Sequence, residues 1–311
     1  MQINSDKLKA YLVNNVFQQD IVLLKNINRG GSSLNFLCKT EHKSYIVKAI
    51  KKEKQDRAIR LCQILKALKK EPHLYTAHLE IFNNQDFFEY ENWLIIILSY
   101  IDGKRVLLSN LDTKLIDKIY VSYQHISKLD IPVSPQKNLE QISSENKQIL
   151  QELMKKEKSF IRNKVLKLIN MLNEAIETNV VLNQDATIIH GDASLNNCLI
   201  DHQQNIALLD FELMRYGYKV EDWAEFFISS LSQHAILFIP QKRLKNLILH
   251  TNTLFNFSKQ EWIYGINLYF LNLIQKRIRS KKLFKSTRKA LLFTLNLKKY
   301  KVLLNMINSL Y

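Results

Sequence analysis

Glycine is scarce in this sequence, with six residues in 311. That excludes a flexible glycine-rich linker, and no internal repeat or other low-complexity stretch takes its place. Proline is scarcer still, with four; Pro72 marks the end of one helical stretch, and the Pro132/Pro135 pair breaks two others apart. Only Cys38, Cys62 and Cys198 carry thiols, with no C-x-x-C pair and no cluster with histidine. A disulfide framework is thereby excluded, and scattered reduced thiols suit a cytosolic protein. No stretch approaches the ~20 apolar residues of a membrane span. The first 17 residues alternate polar with apolar and lack the apolar core of a signal peptide. The sequence-based expectation is a cytoplasmic protein.

Acidic residues are also missing from one region. Trp262 to Tyr311 contains no Asp or Glu, and eleven Lys and Arg there account for most of a formal net charge of +16. The basicity is therefore local. Such a run serves as a solvated helix face or as a peripheral contact with an anionic membrane or lipid, at ~1 kcal/mol per basic residue near the surface. A nucleic-acid partner is disfavoured, because no recognised binding motif accompanies the charge.

What is present is ordinary for a globular protein: 46% hydrophobic and 24% charged residues. The most informative stretch is Ile188 to Glu212, I-I-H-G-D-A-S-L-N-N-C-L-I-D-H-Q-Q-N-I-A-L-L-D-F-E. An apolar pair leads into a polar loop with Asp192 and Asn197, and a second apolar strand, Ile206 to Leu209, delivers Asp210. Two carboxylates and a carboxamide at strand ends are what kinase-type phosphoryl transfer needs: one carboxylate to take a hydroxyl proton, and an Asn and an Asp to hold magnesium. A hairpin whose Asp and Asn only make turns is the plainer alternative.

His190-Gly191-Asp192, Asn197 five positions on, and Asp210-Phe211-Glu212 together resemble the catalytic loop and metal motif of the aminoglycoside phosphotransferase and choline kinase superfamily. The resemblance implies an α+β, protein-kinase-like fold of two lobes: residues 1–102 as a small antiparallel sheet lobe and 103–311 as a helical lobe. It also implies ATP and Mg²⁺ as cofactors, Asp192, Asn197 and Asp210 as catalytic residues, and Asn197 and Asp210 as the metal ligands. His190 would order the loop. Asp222, in G-Y-x-x-x-D-W-A-E-F-F, would brace it, although a helix N-cap explains the same residue.

The rest of the chain supplies parts in the order this fold requires. Ser5 is a candidate cap for a first helix to about Gln18. Strands are predicted at Ile21–Leu24, around Ile27–Leu37, and at Ser44–Ile50, with a turn at Gly30-Gly31. The G-G-x-S-x-N segment resembles the family's phosphate-covering hairpin, so Gly30, Gly31, Ser32 and Ser33 are nucleotide candidates. Lys48, in I-V-K-A-I, is the candidate phosphate lysine, against the alternative of an exposed strand lysine. Lys51–Lys70 is predicted as a helix whose first turns carry Glu53 or Asp56 to brace Lys48. Further strands are predicted at Leu79–Phe82 and Trp93–Leu98, and Ser99 to Gly103 resembles the hinge, with adenine against the backbone near Ser99 and Ile101. Helices follow at 112–129, 139–182, 220–231, 241–255, 259–279 and about 287–310.

The acceptor is implied to be a small molecule with a hydroxyl. D-F-E with the following G-Y and Asp resembles the choline, ethanolamine and thiamine kinase branch, which points to an amino alcohol or a related metabolite. Choline kinases place an acidic residue seven positions after the bracing Asp, where this chain has Ser229. Glu225, one helical turn earlier on the same face, is the candidate substitute, and Trp262 and Tyr264 are candidates for an aromatic cage. An aminoglycoside-type antibiotic phosphotransferase and an inactive nucleotide-binding relative at an anionic surface are the alternatives.

Overall fold

The structure is a computed structural model. It describes the chain apart from residues 1–2, 28–32, 132, 136–140, 142–143, 146–147, 149–150, 152–159, 179–184, 234–240 and 280–299. Gly30, Gly31 and Ser32, where a turn is predicted, and most of the basic C-terminal run lie outside the described residues. The fold is mixed α+β and divides into two compact units. The first comprises 1–104, 129–133 and 198–212; the second comprises 105–128, 134–197 and 213–311. A single cut after residue 102 does not reproduce this division, because Cys198–Glu212 packs with the N-terminal sheet.

The first unit is built on a five-stranded antiparallel sheet, in the order β1 (Ile21–Asn26), β2 (Leu34–Thr40), β3 (Ser44–Lys51), β5 (Trp93–Ser99) and β4 (Phe88–Tyr90). Alternation decides its faces. Phe36 and Cys38 of β2, Tyr45, Val47 and Ala49 of β3, and Trp93, Ile95 and Ile97 of β5 all join one core with Leu8, Leu12, Val16 and Phe17. Lys48, one step out of phase with Val47, points to the other face. Helix α1 (Ser5–Leu12) is capped by Asn4 rather than Ser5: the Asn4 side chain accepts from Asp6 N at 3.0 Å and Lys7 N at 3.1 Å. A π-turn over Val13–Phe17 then runs into Gln18 in the left-handed region.

Helix α2 (Gln55–Leu68) buries Leu61, Ile64, Leu65 and Leu68. Each such side chain contributes about 1.5–3 kcal/mol of burial. The predicted strand at Leu79–Phe82 is not formed. That segment makes only isolated bridges, Leu79 with Leu98 and Phe82 with Gln85, and the edge strand is Phe88–Tyr90. Asn83 and Asn84 adopt positive φ there and turn the chain, which the alternation of apolar residues at 79–82 conceals.

Strands β8 (Cys198–Asp201) and β9 (Ile206–Leu208) form an antiparallel pair in the same unit, beside the short β6 (Gly103–Arg105). Two bonds anchor it there: Thr76 Oγ1 donates to Leu208 O at 2.8 Å, and Leu208 N donates to Tyr75 O at 3.2 Å. The three cysteines are buried in this unit, and burial pushes each thiol up to about 12.

The second unit is mainly helical: α3 (Thr113–Ser127), α4 (Phe160–Thr178), α5 (Lys219–Gln233), α6 (Gln241–Phe255), α7 (Lys259–Arg279) and a last helix over 300–308. Asp112 caps α3 by accepting from Leu115 N at 2.8 Å. Strands β7 (Thr187–Ile189) and β10 (Arg215–Gly217) pair antiparallel. Gly265 lets α7 approach α5, since a β-carbon there would sit 2.8 Å from Val220 O. The aromatic core includes Trp223, Phe226, Phe227, Phe257, Trp262 and Phe270. No helix among the described residues is long and apolar enough to cross a membrane.

Candidate functional site

In the second unit the loop after β7 is built from the backbone up. Ile188 and Ile189 are buried and end the strand at His190, itself fully buried. Gly191 then turns the chain with φ +74, and a β-carbon there would lie 2.1 Å from Leu213 O. Only glycine meets both conditions. Asp222 is inside helix α5, not at its cap. Its carboxylate is buried and accepts from His190 N at 2.7 Å and Gly191 N at 2.8 Å. Burial pushes the Asp222 carboxyl up, against the opposing pull of His190, the two loop N–H groups and Arg215.

Asp192 N donates to His190 Nδ1 at 3.3 Å, which leaves the proton of a neutral ring on Nε2. Asn197 Nδ2 donates to Asp192 O at 2.8 Å and to Asp192 Oδ2 at 3.0 Å. Asn197 therefore fixes the Asp192 carboxylate through its amide nitrogen. Ser229 Oγ lies 3.3 Å from Ala193 O and 3.2 Å from Phe226 O, so it is tied to the loop. One turn back, Glu225 is partly exposed; burial pushes its carboxyl well up, and the neighbouring charges of Asp192 and Asp222 add to that.

Trp262 and Tyr264 are corrected by burial. At 1% and 2% exposure they are core residues, Trp262 edge-on to Phe257 and Tyr264 edge-on to Tyr218. Neither is open to a soluble cation.

In the first unit, Lys48 is 5% exposed, and its Nζ lies 2.9 Å from Asp210 Oδ1 and pairs also with Glu212 Oε1. Asp210 stands two residues after β9 at φ +67, in the left-handed region that Asp tolerates better than most residues. Glu212 is 2% exposed, and its other oxygen pairs with Arg57 of α2. The expected brace from Glu53 or Asp56 is not there. Glu53 is exposed and lies 3.4 Å from Lys51, and Asp56 is exposed. The helix turn that should carry an inward carboxylate presents Arg57 instead. Glu212 was legible, standing two residues after Asp210 in D-F-E; Arg57 had no sequence signal.

Ser99 is committed to the sheet, its N donating to His78 O at 2.8 Å and its Oγ accepting from His78 N at 2.8 Å. A contact of adenine with the Ser99 N–H is therefore disfavoured. Ile101 lies outside both flanking strands and packs with Ala77 and Ala207, ringed by Leu98, Leu199 and Leu209. Ser33 stands just before β2. Among the described residues no group of three or more His, Cys, Asp or Glu forms a metal cluster.

The phosphotransferase enzyme family, APH, matches residues 24–232. A comparison with curated protein sequences finds no match. Among solved structures, spectinomycin phosphotransferase APH(9)-Ia in complex with ADP and spectinomycin gives a TM-score of 0.71 at 13% identity, covering 98% of this chain and 99% of that one. A thermostable mutant of aminoglycoside phosphotransferase APH(4)-Ia, in a ternary complex with ADP and hygromycin B, gives 0.67 at 11% identity over 95% and 98%. An aminoglycoside phosphotransferase from Alicyclobacillus acidocaldarius gives 0.57 at 13% identity over 95% of each chain. At these identities the likeness is one of fold.

Proposed function

The chain belongs to the phosphotransferase enzyme family, and from that premise we propose that it transfers the γ-phosphoryl group of ATP to a hydroxyl of a small molecule. The observation that carries this reading is Lys48, a buried cation on β3, held 2.9 Å from Asp210. A phosphate-binding cation and a metal-binding carboxylate are thereby kept together, as phosphoryl transfer requires.

Asp192 takes or orients the hydroxyl proton, and the Asn197 bond to its carboxylate fixes the direction from which it does so. Alignment supplies most of the catalysis, because the transition state is loose. Lys48 and Ser33 address the phosphates, with Gly30, Gly31 and Ser32 as further candidates, and Ile101 with its apolar neighbours takes the adenine. Asp210 and Asn197 would hold magnesium, since a carboxylate and a carboxamide oxygen are hard donors of the kind this ion takes. When bound, the metal neutralises charge on the phosphates. His190 and Asp222 hold the loop.

The acceptor we propose is an amino alcohol such as choline or ethanolamine, or a related metabolite such as thiamine, with Glu225 meeting its positive charge. Ser229 stands where choline kinases have the acid, so Glu225 carries that role alone. A coupled ADP-release assay over choline, ethanolamine, thiamine, spectinomycin and hygromycin B separates this reading from antibiotic phosphorylation. Turnover confined to the antibiotics overturns the amino-alcohol assignment and leaves the kinase reading intact.

Glu225 carries a pH prediction of its own. A carboxyl whose folded pKa is raised holds its proton more tightly in the native state, so stability falls as pH rises from the unfolded value of ~4.3 through the folded one. Glu225→Gln is therefore expected to melt above the parent at pH 7.5, and the difference should vanish near pH 4. The same variant should raise KM for a cationic acceptor while leaving KM for ATP in place. Equal melting at both pH values would show that folding does not raise this carboxyl's affinity for its proton.

A further inference from the structure

We propose that Arg57 is a positioning residue for the phosphate-binding lysine and acts through Glu212. The inference rests on the kinase reading above and adds a part to it. Lys48, Arg57, Asp210 and Glu212 form a charge-balanced quartet of two cations and two carboxylates, all within the first unit. Glu212 is the bridge, one oxygen on Lys48 and the other on Arg57. At 2% exposure it has little water to fall back on, and a buried carboxylate must be met by partners.

The direction of this link matters. A helix-borne carboxylate would let α2 hold Lys48 directly. Here α2 contributes a cation, and the carboxylate belongs to the chain that also carries Asp210. Lys48 is thus tied at both ends of Asp210-Phe211-Glu212, and α2 acts one step removed, by fixing Glu212. Loss of Arg57 leaves Glu212 anchored by Lys48 alone and places a net negative charge on the group. Lys48 is then drawn toward the two carboxylates and away from an incoming phosphate. Loss of Glu212 breaks the route altogether, so Arg57 has nothing left to transmit.

The test is a double-substitution cycle read by calorimetric titration with ADP and by kcat and KM for ATP. Arg57→Gln should weaken ADP binding by about tenfold or more, the size expected for losing one charge-assisted bond. Arg57→Lys should recover most of that. In a Glu212→Gln background, Arg57→Gln should have no further effect. Glu212→Asp, which keeps the charge and shortens the arm by one methylene, should show the same loss as Arg57→Gln and serves where that variant fails to fold. Equal losses from Arg57→Gln in both backgrounds, or ADP binding at parental strength by Arg57→Gln or Glu212→Asp, would overturn the proposal. A parent protein that does not bind ADP removes the kinase reading instead.

Discussion

Asp192→Asn should lose about 10²- to 10⁴-fold in turnover, the range for removing a general base, and should fold as the parent does. An asparagine side chain keeps an oxygen to accept the 3.0 Å bond from Asn197 Nδ2, so the loop retains its geometry and loses only the carboxylate. Single-turnover kinetics with the best acceptor, beside a thermal melt, separates the two effects. Full activity in a folded variant would sink the proposed role. For Asp210 the informative change is to Asn rather than Ala. At φ +67 the backbone itself favours Asn or Asp, and alanine would add strain that has nothing to do with metal binding.

The second large effect is on stability. Gly191→Ala is expected to cost about 2–5 kcal/mol, combining the left-handed backbone penalty with overpacking, because its β-carbon would fall 2.1 Å from Leu213 O. That carbonyl is backbone and has no rotamer to change. Urea unfolding of parent and variant gives the difference. A loss below 1 kcal/mol would mean that the loop relaxes freely, and Asp222 would then not be holding it. Activity should fall with stability, since the N–H groups that Asp222 receives belong to His190 and Gly191.

The sequence was most readable where chemistry and periodicity coincide. Three helices and the strands around Lys48 follow from apolar spacing, and α6 and α7 begin and end at the residues the pattern indicates. The stretch from Ile188 to Glu212 announced its polar residues by spacing. Errors came where a pattern has two meanings. Alternation at Leu79–Phe82 looks like a strand, but two asparagines at positive φ break it. Aromatics at helical spacing, as at Trp262, look the same whether they face a ligand or a core. The brace on Lys48 comes from a segment other than the one its neighbours in sequence suggest, because sequence distance hides that Glu212, 164 positions away, folds back beside it. Nothing local to α2 distinguishes the inward Arg57 from its exposed neighbours Asp56 and Glu53.

The placement of the thiols has a practical consequence. Cys38, Cys62 and Cys198 are all buried in the first unit, and with only three cysteines in the chain the second unit has none. With each thiol pushed up to about 12, reaction with a disulfide reagent waits on local opening. The labelling rate is then a clock for the sheet-bearing unit alone. A nucleotide that binds there should slow all three sulfurs together, and one that acts only on the helical unit should leave the clock unchanged.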